Sequence, residues 1–387
     1  MTRNSAILID PNPLELHLEI PASLRSLPMF STPGANHRAH LNRAVVQAVL
    51  AWLWEDQDGR AQVLPRWETA IAQWELVDGT ALQVGDRRMV VLATEAFDAE
   101  ELRVPQEWVD LPDWLGDYYL LAQVYLEEGV VRIVGYTTHA TLKAQGRYDE
   151  GDRTYSLASD ALITDLNVLW LAQEFCPAEI LHGSVNSTVA TIAPAQADNL
   201  IARLGNPDLL FPRLELPFGL WASLISNGGW RQRLVDRRQG RAEQWAVGEW
   251  LRSGISQVAE QLGWGAVELQ PALATARSDR DATSTMGLVR SLQIAGNPYE
   301  LWVISQPQLG EGVWRFELRS QLPGGLIPAG FILRLLTEDL QAFDNNTATA
   351  SQAIDRLMVD VALEAGEGIV WEVEPFPEGY DREILRF

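Results

Sequence analysis

The stretch Asp117 to His139, DYYLLAQVYLEEGVVRIVGYTTH, decides how this chain is read. Aromatic and apolar residues, many of them β-branched, fill both halves, and such side chains suit a pleated, half-buried surface. The halves, 117–126 and 130–138, flank Glu127-Glu128-Gly129, so the spacing predicts an antiparallel hairpin. Gly135 falls inside the second strand, where a glycine marks a bulge. Trp108, Tyr148 and Tyr155 extend the strand-rich character over Val104 to Trp170. No pair of polar residues in that span has a spacing that catalysis or metal binding demands.

Outward from the hairpin, the pattern changes period. Towards the N-terminus, Leu14, Leu16, Leu18 and Ile20 alternate with polar residues and predict a short strand. Leu41, Val45, Ala48, Val49, Trp52 and Leu53 recur at three- and four-residue steps, which predicts a helix over 37–55. A shorter helix is expected over 64–74, then strands at 74–77, 81–84 and 89–93. On the C-terminal side, Leu162, Leu166, Leu169, Trp170 and Ala172 give helical spacing that Pro177 stops. Residues 194–263 read as helices over 195–204, 218–226 and 244–262, with glycine at each end. Beyond Gly265 come six extended runs, at 288–294, 299–305, 313–320, 331–337, 357–363 and 369–374. Trp314, Phe316 and Leu318 there alternate with Arg315, Glu317 and Arg319, one face dry and one wet. The polar run Arg277 to Thr285 is the natural linker. The predicted fold is α+β: a mixed strand and helix domain over 1–175, a helical middle over 176–276, and an antiparallel β-sandwich over 286–387.

Charge and composition exclude several function classes. A net charge of -22 opposes nucleic-acid binding, which needs an excess of cations. No apolar run reaches the roughly 20 residues that span a bilayer. The N-terminus lacks a secretory pattern and the single cysteine, Cys176, rules out an internal disulfide, so a cytoplasmic location without membrane attachment is expected. Of 30 basic residues only Lys143 is lysine, as a GC-rich genome would produce. Lys143 is followed by Ala144, which excludes a phosphate-binding loop of the Gly-Lys-Ser/Thr kind.

The acidic background is interrupted once. Arg231, Arg233, Arg237, Arg238 and Arg241 face only Asp236 over eleven residues. Such an island either pairs within the protein or awaits an acidic partner surface, and these five are the candidate partner-binding residues. The candidate acid or base is His139, which lies just past a strand with Tyr136, Asp149 and Asp152 close in sequence. A pocket holding His139 beside Asp149, Asp152 or Cys176 would favour an enzyme; an imidazole hydrogen-bonded to backbone would disfavour one. Asp279 with Asp281, and Asp344 with Asn345 and Asn346, lack the spaced ligands of a calcium loop, so no metal or cofactor is expected. The 15 Trp residues sit mostly on predicted apolar faces and are assigned to the core.

Several local motifs together resemble the cyanobacterial domain-of-unknown-function family 1822. They are Leu41-Asn42 with Trp52-Leu53, Val104-Pro105-x-Glu107-Trp108, Asp117-Tyr118-Tyr119-Leu120 and Gly135-Tyr136-Thr137-Thr138-His139. Asp152-Arg153-Thr154-Tyr155, Asp165-Leu166-Asn167-Val168-Leu169-Trp170, Pro212-Arg213-Leu214 and Gly263-Trp264 complete them. The resemblance implies a cyanobacterial source and a cytoplasmic protein, and it carries over no catalytic residue. It also implies a setting among signalling proteins. The expected role is a non-catalytic scaffold or adaptor acting through protein–protein interaction; the alternative is a hydrolytic enzyme with an acid/base centre at His139.

Overall fold

The computed structural model describes residues 16–25, 27–56, 61–176, 180–185, 189, 191–241, 245–269 and 285–387. The chain divides into two units, residues 1–189 with 208–222, and residues 190–207 with 223–387. In chain order the first contains β1 (Leu16–Glu19), α1 (Pro33–Asp56), β2 (Gln62–Val63), α2 (Trp67–Gln73), β3 (Thr80–Val84), β4 (Arg87–Thr94) and β5 (Glu101–Pro105). It continues with α3 (Gln106–Asp110), β6 (Tyr118–Tyr125), β7 (Val130–Thr138), α4 (His139–Gln145), β8 (Arg147–Asp149), β9 (Thr154–Ala158) and α5 (Leu166–Phe175).

The predicted hairpin is β6 and β7, and it lies at the centre of a six-stranded sheet of order β1-β7-β6-β4-β3-β2. All neighbours are antiparallel except β4 and β6, which run parallel with Met89 opposite Tyr118. On one face Met89, Val91, Leu120 and Ala122 pack under Val45, Val49 and Leu53 of α1. The intervening residues Val90, Leu92, Tyr119 and Leu121 are buried too. On that second face the Tyr119 hydroxyl donates to the Trp108 carbonyl of α3 at 2.7 Å. Burial on both faces explains why the hairpin sequence is apolar almost without alternation. Leu121 pairs with Gly135 but Ala122 with Ile133, so Val134 is the extra residue of a bulge. Gly135 is required there by close approach: a Cβ would meet the Ile163 carbonyl and Leu162 at 2.9 Å. The expected strand over 74–77 is instead a turn that continues α2, with the Leu76 and Val77 N–H groups donating to the Gln73 carbonyl. A four-residue segment with three apolar side chains, Trp74, Leu76 and Val77, does not by itself separate these outcomes.

The second unit opens with α6 (Pro194–Leu204), and the division of the chain falls inside α7 (Phe218–Ser226). It continues with α8 (Gly228–Arg238), α9 (Val247–Ser253), α10 (Gln257–Gln261), β10 (Trp264–Leu269), β11 (Thr285–Ile294), β12 (Asn297–Ser305) and β13 (Val313–Ser320). Then follow β14 (Ile332–Thr337), β15 (Thr347–Thr349), β16 (Arg356–Ala362), β17 (Gly368–Glu374) and β18 (Ile384–Arg386). Two antiparallel sheets, β10-β11-β12-β13-β16 and β15-β14-β17-β18, share a core that includes Leu301, Phe316, Leu333, Val359 and Trp371. All six predicted runs are strands. β10 precedes the expected linker and pairs with β11; residues 277–284 of that linker lie outside the described residues.

Two helix readings are corrected by glycines. The single helix expected over 244–262 is broken between α9 and α10, where Gly254 takes φ +92. Gly263 is left-handed at φ +93, as its sequence position predicts. Asn227-Gly228-Gly229, read as a stop, also starts a helix: the Asn227 side chain caps α8 by accepting the Gly229 and Trp230 N–H groups. Gly229 is also where α8 meets β18, since a Cβ would lie 2.2 Å from Ile384. Gly229→Ala should therefore lower stability by about 1–3 kcal/mol through overpacking. In an Ile384→Ala background the added loss should shrink, which urea denaturation of the four proteins of that cycle checks.

Candidate functional site

Half of the sequence motifs converge on one buried carboxylate in the first unit. Glu107, at the start of α3, is fully buried. Its oxygens accept from Arg213 Nε at 2.9 Å and Nη2 at 2.6 Å, and from the Trp221 indole Nε1 at 2.7 Å. Arg213 donates further to the backbone carbonyls of Asp152 at 2.5 Å and Arg153 at 3.0 Å. Arg153 answers by donating to the carbonyls of Arg213, at 2.5 Å, and of Leu216. Burial alone would lower the Arg213 pKa, but the Glu107 charge and hydrogen bonds raise it above its ordinary value. Next to Glu107, the Trp108 indole donates to the Asp78 carbonyl at 2.7 Å, and the Asp78 carboxylate accepts from Asn42 at 2.7 Å. Residues 41–42, 104–108, 152–155 and 212–214 are thus parts of one assembly. A family model described as Protein of unknown function (DUF1822) matches residues 22–386. The chain belongs to that family. No curated protein and no solved structure matches it.

The candidate acid or base is tied into backbone. His139 is fully buried at the start of α4. Its Nδ1 accepts the Gly183 N–H at 2.9 Å and its Nε2 faces the Val109 carbonyl at 2.9 Å. Together these contacts call for the neutral ring with its proton on Nε2. Burial lowers its pKa, the Val109 hydrogen bond opposes that, and His182 and Lys143 lower it further. The His182 ring lies edge-on at 5.6 Å and its Nε2 is 3.0 Å from Asp117. The only lysine is anchored as well. Lys143 Nζ donates to Asp110 at 2.8 Å and to the Tyr155 hydroxyl at 2.9 Å, and that hydroxyl donates to Asp110 at 2.8 Å. Burial would lower the Lys143 pKa, but these two hydrogen bonds and the Asp110 charge leave it raised, so the ammonium stays charged. Cys176 is exposed at the end of α5. Among the described residues no group of three or more His, Cys, Asp or Glu is placed to hold a metal, and Asp279 and Asp281 lie outside them. Asn345 and Asn346 form a turn in which Asn346 donates to the Leu335 carbonyl at 2.7 Å.

The arginine island lies mostly within the second unit's own packing. Arg231 is buried, bonded to the Ile225 carbonyl at 2.5 Å and to Asp381. Arg233 pairs with Asp198 at 2.8 Å and Glu338 at 3.0 Å, and Arg241 with Asp236 at 3.0 Å. Buried Arg238 donates to the carbonyls of Leu204 and Asn206. Arg237 is exposed.

Two surface features of the first unit bear on function. One is a cavity of about 520 Å³ with Leu92 and Leu121 among its apolar lining and Arg38, Arg103, Asp152 and Arg213 among its charged lining. Its guanidinium groups are already engaged: Arg38 with the Trp74 and Glu75 carbonyls, Arg103 with Glu101 and Asp152, and Arg213 as above. The other is α5. Leu166 and Leu169 face the core, while Val168, Leu171 and Phe175 are 43%, 53% and 69% exposed. The helical spacing of Leu166, Leu169 and Trp170 shows only the inward stripe. The missed signal is a second apolar set at i, i+3 and i+7, which on a helix lines one face.

Arg213→Met should destabilise the protein by about 3–5 kcal/mol, because it strands a buried carboxylate. Glu107→Leu with Arg213→Leu should cost less than the sum of the two single changes, as denaturant midpoints will show. For His139 the folded pKa is depressed below an unfolded value of about 6.5. Between those values the unfolded chain binds more protons, so stability from this group rises with pH and is lost as pH falls. His139→Gln should flatten the dependence of the urea midpoint on pH between about 5.5 and 7.5. An unchanged slope would count against the buried neutral ring.

Proposed function

We propose that this protein is a non-catalytic scaffold or adaptor, working through protein–protein interaction in the cytoplasm of a cyanobacterium. The observation that carries this reading is the uncovered apolar face of α5, Val168, Leu171 and Phe175. Contiguous exposed apolar side chains on a soluble chain mark interaction surfaces, whereas isolated ones do not. Among the described residues no helix is long and apolar enough to cross a membrane, and a net charge of -22 opposes binding to nucleic acid. The reading is also supported by how the reactive side chains are used. His139 presents both ring nitrogens to backbone, which leaves neither for a substrate, and Lys143 and Tyr155 are both held on Asp110. A hydrolytic centre at His139 would need that ring released from two hydrogen bonds.

The combined change Val168→Ser, Leu171→Ser and Phe175→Ser should leave the melting temperature close to wild type, since exposed substitutions usually shift stability by no more than about 0.5 kcal/mol each. It should abolish recovery of the partner that wild type retains from a lysate of its host. Equal recovery by both proteins would refute the α5 face as the interaction surface.

A further inference from the structure

We infer that the outer face of α5 receives a basic amphipathic helix of a partner protein. This rests on the interaction reading above and adds the partner's chemistry. Val168, Leu171 and Phe175 repeat at three and four residues, so their side chains form a ridge about 10 Å long at 1.5 Å per residue. A ridge of that length and period meshes with the i, i+3 or i+4, i+7 ridge of a second helix. Charge selects what else the partner must carry. From Thr154 to Ala202 the sequence holds no lysine or arginine, while Asp160, Asp165 and Glu174 flank the ridge along the chain. Asp160 and Glu174 are exposed, and Asp165 caps the helix by accepting the Asn167 N–H at 2.9 Å. The inner side of α5 reaches α1 where Trp170 meets Trp52 at 5.9 Å, and the nearby Glu55 is exposed and acidic as well. An apolar ridge with an acidic rim matches an apolar stripe flanked by lysine or arginine. A second copy of this chain is a poor match, because it would bring the same carboxylates and another net charge of -22.

The test uses the full chain and three fluorescein-labelled synthetic peptides of 18 residues or about five helical turns. These are a leucine/lysine amphipathic helix, its leucine/glutamate counterpart, and a leucine/lysine peptide of the same composition scrambled to remove the stripe. Fluorescence anisotropy should show wild type binding the leucine/lysine helix about tenfold more tightly than either other peptide. The triple serine variant should lose about tenfold in that affinity, with Leu171→Ser alone as the milder variant if the triple change unfolds the chain. Asp160→Lys with Glu174→Lys should weaken binding of the leucine/lysine helix and flatten its salt dependence. Equal binding by wild type and a folded serine variant would overturn the proposal, since general attraction to an acidic protein would then suffice. So would equal binding of the leucine/glutamate helix, or a wild-type dimer in sedimentation that the serine changes dissolve. If the peptides fail to discriminate while lysate recovery still depends on Val168, Leu171 and Phe175, the partner chemistry falls and the interaction reading stands. If neither depends on them, both fall.

Discussion

The first unit depends on the Glu107 carboxylate finding three donors inside the protein. A buried carboxylate without partners costs several kcal/mol, and its segment would be driven back to water. Arg213 and Trp221 supply those donors from residues more than 100 positions later in the chain. The contact therefore fixes the 208–222 segment onto β5, α3 and β9, a job that apolar packing would do with less directional precision. The arrangement recurs in the second unit. Glu338 accepts from the Trp230 indole at 2.7 Å, from Arg233 at 3.0 Å and from Arg386 at 2.5 Å. Glu383 accepts from the Trp264 indole at 2.9 Å and from Arg290 at 3.0 Å. Each site joins one buried glutamate to at least one arginine and one indole N–H.

This recurrence gives the composition a structural use. An arginine offers five donors in a planar fork, enough to hold a carboxylate and a backbone carbonyl at once, which a lysine ammonium does less well. The indoles placed in the core by their apolar spacing also supply polar donors. Whatever genomic bias supplies arginine, the fold employs it: Arg231, Arg233 and Arg238 are members of the charge island in sequence and pieces of the internal framework in space. The island looked isolated because its partners, Asp198, Glu338 and Asp381, lie between 35 and 150 residues away.

Periodicity carried most of the fold into view, and its limits follow from what it measures. α1 and most of the six long C-terminal strands bury a face through several repeats, and the β6–β7 hairpin is apolar on both faces over its length, so the pattern is redundant. β15 and β18, of three residues each, contain too few repeats to register. β10 follows directly on Gly263 and looked like the end of a helical region until its pairing with β11 was seen. The break at Gly254 was hidden because the apolar stripe of α9 continues in phase into α10, and the stripe reports burial, not backbone continuity. The His139 motif and a structural use for its ring were legible, but its partners were not, since Val109 and Gly183 contribute only backbone groups and leave no side-chain signature. Glu107 stood in a recognised motif without a role for the same kind of reason: its partner Arg213 is 106 residues away.

α5 unites the stability and interaction arguments. Its inner residues Leu166 and Leu169 hold it to the first unit, so its outer residues are free of that duty and their exposure costs the fold little. Exposed Val168, Leu171 and Phe175 would ordinarily invite self-association, because two such ridges are apolar surfaces of matching period. Asp160, Asp165 and Glu174 along the same segment oppose that encounter, and the large net negative charge extends the repulsion to about a Debye length from the surface. The same field attracts a cationic helix. A single distribution of charge thus keeps the ridge from its own copies while leaving it open to a partner of opposite sign, which is how specificity can arise from an interface too small to gain it from area alone.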